Sequence, residues 1–346
     1  MVPGPTPPDR RALVTGATGY IGSRLVPALA AAGWSVTASG RRPRPEGLDA
    51  AVAYRPADLV GDGDLGGLVE GVTHVFHLAG ASSSRSSDEE MERTNRLGTR
   101  RLVAAAVAAG VRRLVHMSST SVYGEEVQLP VPVTEDVTCQ PSRSYGRAKL
   151  GAEEEAAKGA AEGLEVVVLR PVTVYGPGAV KLLASAVLDV AIERFAGLDV
   201  VEVPAEAVEQ RLLHVDDLLA ATLHVAEHPD APGRAFNVAS GAYPTSHEVA
   251  EVVADELGMA TTLAEGAEVG LSFERRRVVH QAMLEVGMTG DILLSPQRFR
   301  FLAKANRNNR LSLAALEGTG FRFAETDWDA SVRRTVAWYR DRRWVI

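Results

Sequence analysis

The sequence predicts an α/β protein, a doubly wound parallel sheet with a smaller C-terminal α/β lobe. Three observations predict it. Short apolar runs alternate with helix-patterned runs from residue 11 onward. The first apolar run passes directly into a glycine turn and then a helix. After Gly178 the alternation gives way to mostly helical sequence. Strands that alternate with helices pair in parallel, and right-handed crossovers put helices on both faces of the sheet.

The elements follow in order. Residues 11–15 form the first strand candidate, the glycine turn 16–22 follows at once, and 23–32 is a helix that stops at Gly33. Residues 35–39, 51–54 and 72–79 are the next strand candidates. Residues 90–109 are helical up to Gly110, 113–118 is a buried-type strand, 145–162 is a helix ended by Gly163, and 166–169 is a strand. Residues 178–197 are mostly helical, and 210–217 lead into a helix reaching Glu227. A strand at 235–239, a helix at 246–257 and a mixed, helical, basic stretch at 265–309 complete the pattern. The expected organisation is a proline-rich disordered tail at 1–10 and a dinucleotide-binding lobe at 11–177 with about 210–240. A smaller substrate lobe takes about 178–209 and 241–340. No internal repeat appears, and low complexity is confined to the serine-rich loop 82–87.

Composition narrows the function classes. The chain has 346 residues, 46% of them hydrophobic, enough for one large domain or two modest ones. A formal net charge of −7 argues against a general nucleic-acid binder, which needs a basic face. The single cysteine, Cys139, excludes an internal disulfide and disfavours a cysteine-based metal site. The eight histidines make no zinc-type cluster; His74 and His77, at odd spacing on one strand, face opposite sides. No metal is expected. No apolar run approaches the roughly 20 residues that span a bilayer, and the start lacks a hydrophobic signal core, so a cytoplasmic protein with no membrane partner is expected.

Strand, glycine turn and helix in that order make a Rossmann dinucleotide fingerprint. Gly16 and Gly19 let the backbone turn tightly and approach a pyrophosphate, and Gly22 lets the helix pack close to its strand. Thr18, Tyr20 and Ile21 complete the turn, and the helix N-terminus offers N–H groups to the phosphates. At the end of the second strand an acidic residue would bind the ribose of NAD. Here Arg41 and Arg42 stand instead, placed to clamp a 2′-phosphate, so NADP(H) is favoured over NAD(H). The alternative is a solvated arginine pair. Asp58 and Leu59 are placed to flank the adenine, or form a plain surface turn.

Tyr145 and Lys149 lie four apart on one helix face. A lysine beside a phenol stabilises the phenolate, and such a tyrosine exchanges protons with a carbonyl or alcohol near neutral pH. Hydroxyl partners wait at the end of the strand 113–118, in the run Ser118, Ser119, Thr120, Ser121. Active sites of open parallel sheets lie at such strand ends.

This constellation resembles the extended short-chain dehydrogenase/reductase family, the NAD-dependent epimerase/dehydratase type, from about residue 10 to residue 340. His77 to Ala81, Thr94 with Asn95, Gly98 with Thr99, Arg170 to Gly178, His214 to Asp217, Phe236 to Val238 and Thr335 to Tyr339 are similar to further family segments. The resemblance implies Ser119 as the hydroxyl that bonds the substrate oxygen, Thr120 being one register step away. It implies Tyr145 as general acid/base, with Lys149 holding the nicotinamide ribose. It implies cofactor contacts from Leu78, Ala79, Gly80, Asn95, Pro171 and Val174, and substrate contacts from Ser119, Thr120, Ser121, Val174 and Arg211. A homodimer through the helices 90–109 and 145–162 is also implied.

Departures from the family pattern restrict the activity. Thr120 and Ser121 stand where sugar dehydratases carry Asp-Glu, and no glutamate near Ser121 suits decarboxylation. The pairs Glu125, Glu126 and Glu135, Asp136 are expected to be solvated. Thr173 and Val174 replace an asparagine common in nucleotide-sugar enzymes. Arg211 meets either a substrate phosphate or an internal carboxylate. Arg275 to Arg277 and the basic run from Arg298 to Arg310 are read mostly as a solvated face. Four functions compete. The first is NADP(H)-dependent reduction of a keto group on a nucleotide-activated deoxysugar. The second is epimerisation with tightly held NAD. The third is reduction or oxidation of an apolar sterol-, isoprenoid- or polyketide-like substrate. The fourth is NADP(H) sensing without catalysis, which the intact Ser119, Tyr145 and Lys149 disfavour.

Overall fold

A computed structural model describes residues 10–82, 86–124, 127–264, 270–288, 290–299 and 310–346. The tail at 1–9, residues 83–85 of the serine-rich run, the pair Glu125, Glu126 and part of the 265–309 stretch lie outside the described residues.

The chain opens with β1 (Arg11–Thr15), α1 (Gly22–Ala31), β2 (Ser35–Ser39) and the short β3 (Ala53–Tyr54). After α2 (Gly66–Val69) and β4 (His74–His77), one helical segment runs as α3 (Asp88–Glu92), a π turn (Arg93–Leu97) and α4 (Gly98–Ala108). Next come β5 (Arg113–Met117), a 3₁₀ turn (Thr120–Tyr123), α5 (Ser144–Ala161) and β6 (Glu165–Pro171). The remainder is β7 (Thr173–Tyr175), α6 (Leu183–Phe195), β8 (Val200–Val203), β9 (Leu212–His214), α7 (Val215–Glu227), β10 (Arg234–Val238), α8 (Ser246–Glu256), β11 (Ala260–Leu263), α9 (Phe273–Glu285), α10 (Ala314–Glu317) and α11 (Trp328–Asp341).

Seven strands form one sheet in the order β10-β6-β5-β4-β1-β2-β3. Every pairing in it is parallel. Parallel sheets are covered on both faces, which is why β4 and β5 are buried throughout, their polar His74, His77, Arg113 and His116 included. Leu25 and Leu29 of α1 and Leu218 and Val225 of α7 pack with Val14, Phe76 and Val115. Leu102 and Val103 of α4 and Ala156 of α5 pack with Leu13, Val75 and Leu114. Strand order reverses between β1 and β4, and in such sheets a cleft opens outside the carboxyl ends of the strands at that point.

A further buried cluster gathers α6, α8 and α11 around Val187, Val253 and Val336. Two small parallel pairs, β7 with β9 and β8 with β11, were not expected from the sequence. β11 has no fully buried residue, so no inward-facing periodicity marks it. The basic stretch also departs from expectation at two arginines. Arg276 is 1% exposed and bonds Asp189 of α6 at 2.7 Å. Arg298 is bound to Glu193, one turn further along α6. These guanidiniums tie the segment to α6 instead of solvating a face, since a buried charge persists only when paired. Arg275 and Arg277 are exposed as expected. Glu135 is a second correction: its carboxylate is half-buried and accepts the Asn237 N–H at 2.8 Å.

Candidate active site

The glycine turn is built by backbone crowding. Gly16 has φ +70°, and a Cβ there would lie 2.7 Å from the Ala79 nitrogen. Its carbonyl accepts the Gly19 N–H at 3.0 Å. A Cβ on Gly22 would strike that same carbonyl and come within 2.8 Å of Ala17 Cα. The third glycine is therefore required by contact with the turn itself, not by contact of helix with strand. No side chain caps α1, so its positive end stays available beside the turn. Thr18 lies on the turn facing Gly40. Ile21 is the N-cap of α1. Tyr20 is stacked under the Arg24 guanidinium at 4.3 Å from its ring centre.

The exit of β4 is fastened beside this turn. Leu78 N–H donates to the Thr15 carbonyl at 3.2 Å and Ala79 N–H to Thr15 Oγ1 at 3.3 Å. Asn95, on the π turn and 1% exposed, accepts the Ala81 N–H at 2.7 Å and donates to the Ala81 carbonyl at 3.1 Å. A Cβ on Gly80 would lie 2.8 Å from Asn95 Oδ1 and 3.4 Å from Lys149 Nζ. Bare backbone at Gly16 and Gly80 thus lets the turn, the β4 exit and Asn95 close on one another, the tight backbone approach that a dinucleotide site needs.

At the end of β2, Arg41 and Arg42 are exposed, and Arg41 reaches to 4.0 Å from Glu90. Tyr54 hydroxyl donates to the Arg42 carbonyl at 2.7 Å and fixes that backbone. Asp58 is exposed and accepts the Val60 N–H at 3.1 Å, a local turn, while Leu59 is buried in the core.

The hydroxyl run sits where β5 ends. Ser119 caps the 3₁₀ turn, accepting the Ser121 N–H at 3.2 Å, and lies 3.3 Å from Ser121 Oγ. Ser119 is the neighbouring hydroxyl that acts on the Tyr145 phenol. Thr120 turns away and donates to the Pro171 carbonyl at 3.4 Å. Of the two candidate hydroxyls, then, Ser119 is the one brought to the tyrosine. Lys149, 6% exposed, donates to the Met117 carbonyl at 2.8 Å. Burial lowers the Lys149 ammonium to about 8, opposed by the charge of Glu153. Burial pushes the Tyr145 phenol up, opposed by the Ser119 hydroxyl. α5 can approach this closely because Gly146 faces the Ser121 carbonyl, where a Cβ would collide. The sequence reading passed over Gly146.

Val174 is half-buried on β7 and packs on the main core. Arg211 is half-buried and engaged with neighbours. Cys139 is half-buried, and burial raises its thiol. Also passed over was a buried polar chain joining Ser118, Glu153, Arg170, Tyr123 and Asn237. Its signal was present, since Glu153 stands four residues after Lys149. Among the described residues, no group of three or more His, Cys, Asp or Glu side chains could hold a metal ion. No described helix is long and apolar enough to cross a membrane.

Comparison with known proteins agrees with this geometry. A family model described as the NAD dependent epimerase/dehydratase family matches residues 12–239. The GDP-6-deoxy-D-mannose reductase of Pseudomonas aeruginosa is 30% identical over 280 residues, 78% of this chain and 87% of that protein. The structure of RMD from Pseudomonas aeruginosa complexed with NADPH superposes with a TM-score of 0.70 at 26% identity, covering 96% of this chain and 99% of that one. MoeE5 in complex with UDP-glucose and NAD gives 0.71 at 27% identity with the same coverage, 96% and 99%. Its relatives thus bind NAD or NADPH, and one is held with a nucleotide sugar.

Proposed function

The chain belongs to the NAD-dependent epimerase/dehydratase family, the extended short-chain dehydrogenases/reductases, and from that premise we propose that it is an NADP(H)-dependent reductase of a keto group on a nucleotide-activated deoxysugar. The observation that carries the reading is that Ser119, Tyr145 and the buried Lys149 gather at the end of β5, where Thr120 and Ser121 replace the carboxylates that dehydration needs. The relative that reduces a GDP-deoxysugar supports the substrate class.

Gly16, Gly19 and Gly22 with the start of α1 would hold the pyrophosphate. Leu78, Ala79, Gly80, Asn95, Pro171 and Val174 would line the dinucleotide, and Arg41 with Arg42 would meet a 2′-phosphate. A bound nicotinamide dinucleotide supplies the hydride. Ser119 would donate a hydrogen bond to the substrate carbonyl oxygen, with Ser121, Val174 and Arg211 around the remainder and Thr120 turned away toward Pro171. Tyr145 delivers its proton to that oxygen as it becomes an alcohol, and the Lys149 ammonium lowers the cost of the phenolate left behind. The same reading makes the protein a cytoplasmic homodimer paired through α4 and α5; light scattering that returns a single 36.8 kDa chain would remove the dimer.

The deciding experiment has two parts: identify any nucleotide released on denaturation, then assay the emptied protein with NADPH or NADH against 4-keto nucleotide sugars and apolar ketones. An empty site and NADPH-driven keto-sugar reduction are expected. Retained NAD would point to the epimerase, a reading that the reach of Arg41 toward Glu90 favours. Turnover of apolar ketones alone would reassign the substrate.

Two further results are expected. Replacing Arg41 and Arg42 together with alanine removes charge-assisted hydrogen bonds worth about 1.5–3 kcal/mol in total, so NADPH affinity falls about 10- to 150-fold while NADH affinity holds. Equal losses for both nucleotides would sink the 2′-phosphate clamp. As pH rises through about 8, Lys149 loses its proton and Tyr145 loses its supporting cation. In the reductive direction kcat/KM therefore falls above about pH 8; a profile flat to about pH 9.5 would take Lys149 out of this role.

A further inference from the structure

Tyr145, Lys149 and Glu153 stand on successive turns of one face of α5. Glu153 is 10% exposed and far inside, where an unpaired carboxylate would be costly. Its two oxygens bind two other segments. Arg170 of β6 donates to it twice, at 3.1 and 2.7 Å, and Ser118, the residue before Ser119, donates to the same oxygen as the longer of these bonds. The charged groups that face it are therefore Lys149 on its own helix and Arg170 on β6, with the Cys139 thiol within reach of both Arg170 and Glu153. Arg170 is itself held by the Tyr123 hydroxyl and the Glu135 carbonyl, both at 3.0 Å. One carboxylate thus joins the catalytic helix, the hydroxyl turn and the strand that ends in Pro171.

Resting on the reductase reading, we infer that Glu153 is a positioning residue of the proton-transfer site: it sets an anion one helical turn from Lys149, which is itself one turn from Tyr145, and it seats Ser118 next to Ser119. The physical reasoning is charge balance. Lys149 is a buried cation that donates to the neutral Met117 carbonyl and faces the buried, uncharged rings of His77 on β4 and His116 on β5. The nearby anion offsets part of its desolvation. Arg170 neutralises Glu153 from the opposite side and prevents the anion from capturing the lysine outright. A merely structural ion pair would hold β6 to α5 and leave Lys149 untouched.

The test needs no substrate. The chain has four lysines, Lys149, Lys158, Lys181 and Lys304, so side-chain NMR of lysine-labelled protein resolves each titration. In the wild-type protein Lys149 is expected to titrate at about 8. Glu153→Gln removes the anion and leaves Arg170 charged, so Lys149 is expected to titrate about tenfold more readily, a fall of about one pH unit. Glu153→Asp keeps the charge and should hold Lys149 within a few tenths of wild type, even though its shorter reach breaks the Arg170 fork. If Glu153→Gln fails to fold, Arg170→Gln leaves the anion without its cation and should raise Lys149 instead. In turnover, Glu153→Gln should lose kcat about tenfold with KM nearly unchanged and shift the basic limb downward. An unmoved Lys149 in the glutamine variants overturns the inference, as does an equal shift in the aspartate variant. A shifted Lys149 in a protein that reduces no ketone leaves the inference standing and fails the reductase reading alone.

Discussion

Tyr145→Phe is expected to reduce turnover by about 10²- to 10⁴-fold, the range that a positioned proton donor contributes, while NADPH binding changes less than about twofold. The substitution deletes one oxygen and keeps the ring, so the packing of α5 beside the hydroxyl turn survives. Ser119 retains its contacts with Ser121, and Lys149 retains the Met117 carbonyl. The loss should therefore fall on the chemical step and not on folding or cofactor affinity. Retained activity would remove Tyr145 as the donor. The hydroxyl is tested in the same assay. Ser119→Ala should lose most of kcat, because Ser119 is the hydroxyl that neighbours the phenol, whereas Thr120→Ala loses only a bond to the Pro171 carbonyl. The reverse order would move the site by one residue.

Much of this arrangement is legible in the residues because local chemistry writes it. Strands buried on both faces must be apolar, so the runs at 11–15 and 113–118 stand out. Gly16 and Gly22 are visible because their neighbours leave no room for a side chain. The parts that were not legible depend on distant partners. Arg276 and Arg298 look like surface charge until Asp189 and Glu193, on a helix about a hundred residues earlier, are folded against them. Glu135 looks solvated until the edge strand β10 presents Asn237 N–H to it. The π turn that carries Asn95 has no sequence signature, because the same residues would serve an ordinary helix. Glu153 is a different case. Its helical spacing from Lys149 was readable, but the arginine that makes it an internal anion lies on another element, and spacing alone cannot distinguish an internal carboxylate from a solvated one.

Gly22→Ala is expected to be a severely damaging single-methyl change in the glycine turn. The added Cβ would collide with the Gly16 carbonyl and approach Ala17 Cα to 2.8 Å and the Gly16 carbonyl carbon to 2.9 Å. All three are backbone atoms, so no side chain can rotate out of the way. The turn cannot retreat either, because Gly16 already abuts Ala79 and its carbonyl holds the Gly19 N–H. α1 cannot lift without withdrawing Leu25 and Leu29, both 0% exposed, from the core. Overpacking against fixed neighbours costs about 1–3 kcal/mol, and the upper end applies where nothing can yield. The turn must distort, so NADPH affinity should fall at least about 100-fold, roughly 2.7 kcal/mol. Gly33→Ala is the matched control. Gly33 also ends α1 at positive φ, +84°, but a Cβ there meets nothing within 4 Å. That variant should pay only the left-handed penalty, about 1–2 kcal/mol of stability, and bind NADPH normally. Thermal unfolding and nucleotide titration of the two variants separate the effects. Wild-type nucleotide affinity in Gly22→Ala would mean that the pyrophosphate does not rest on this turn.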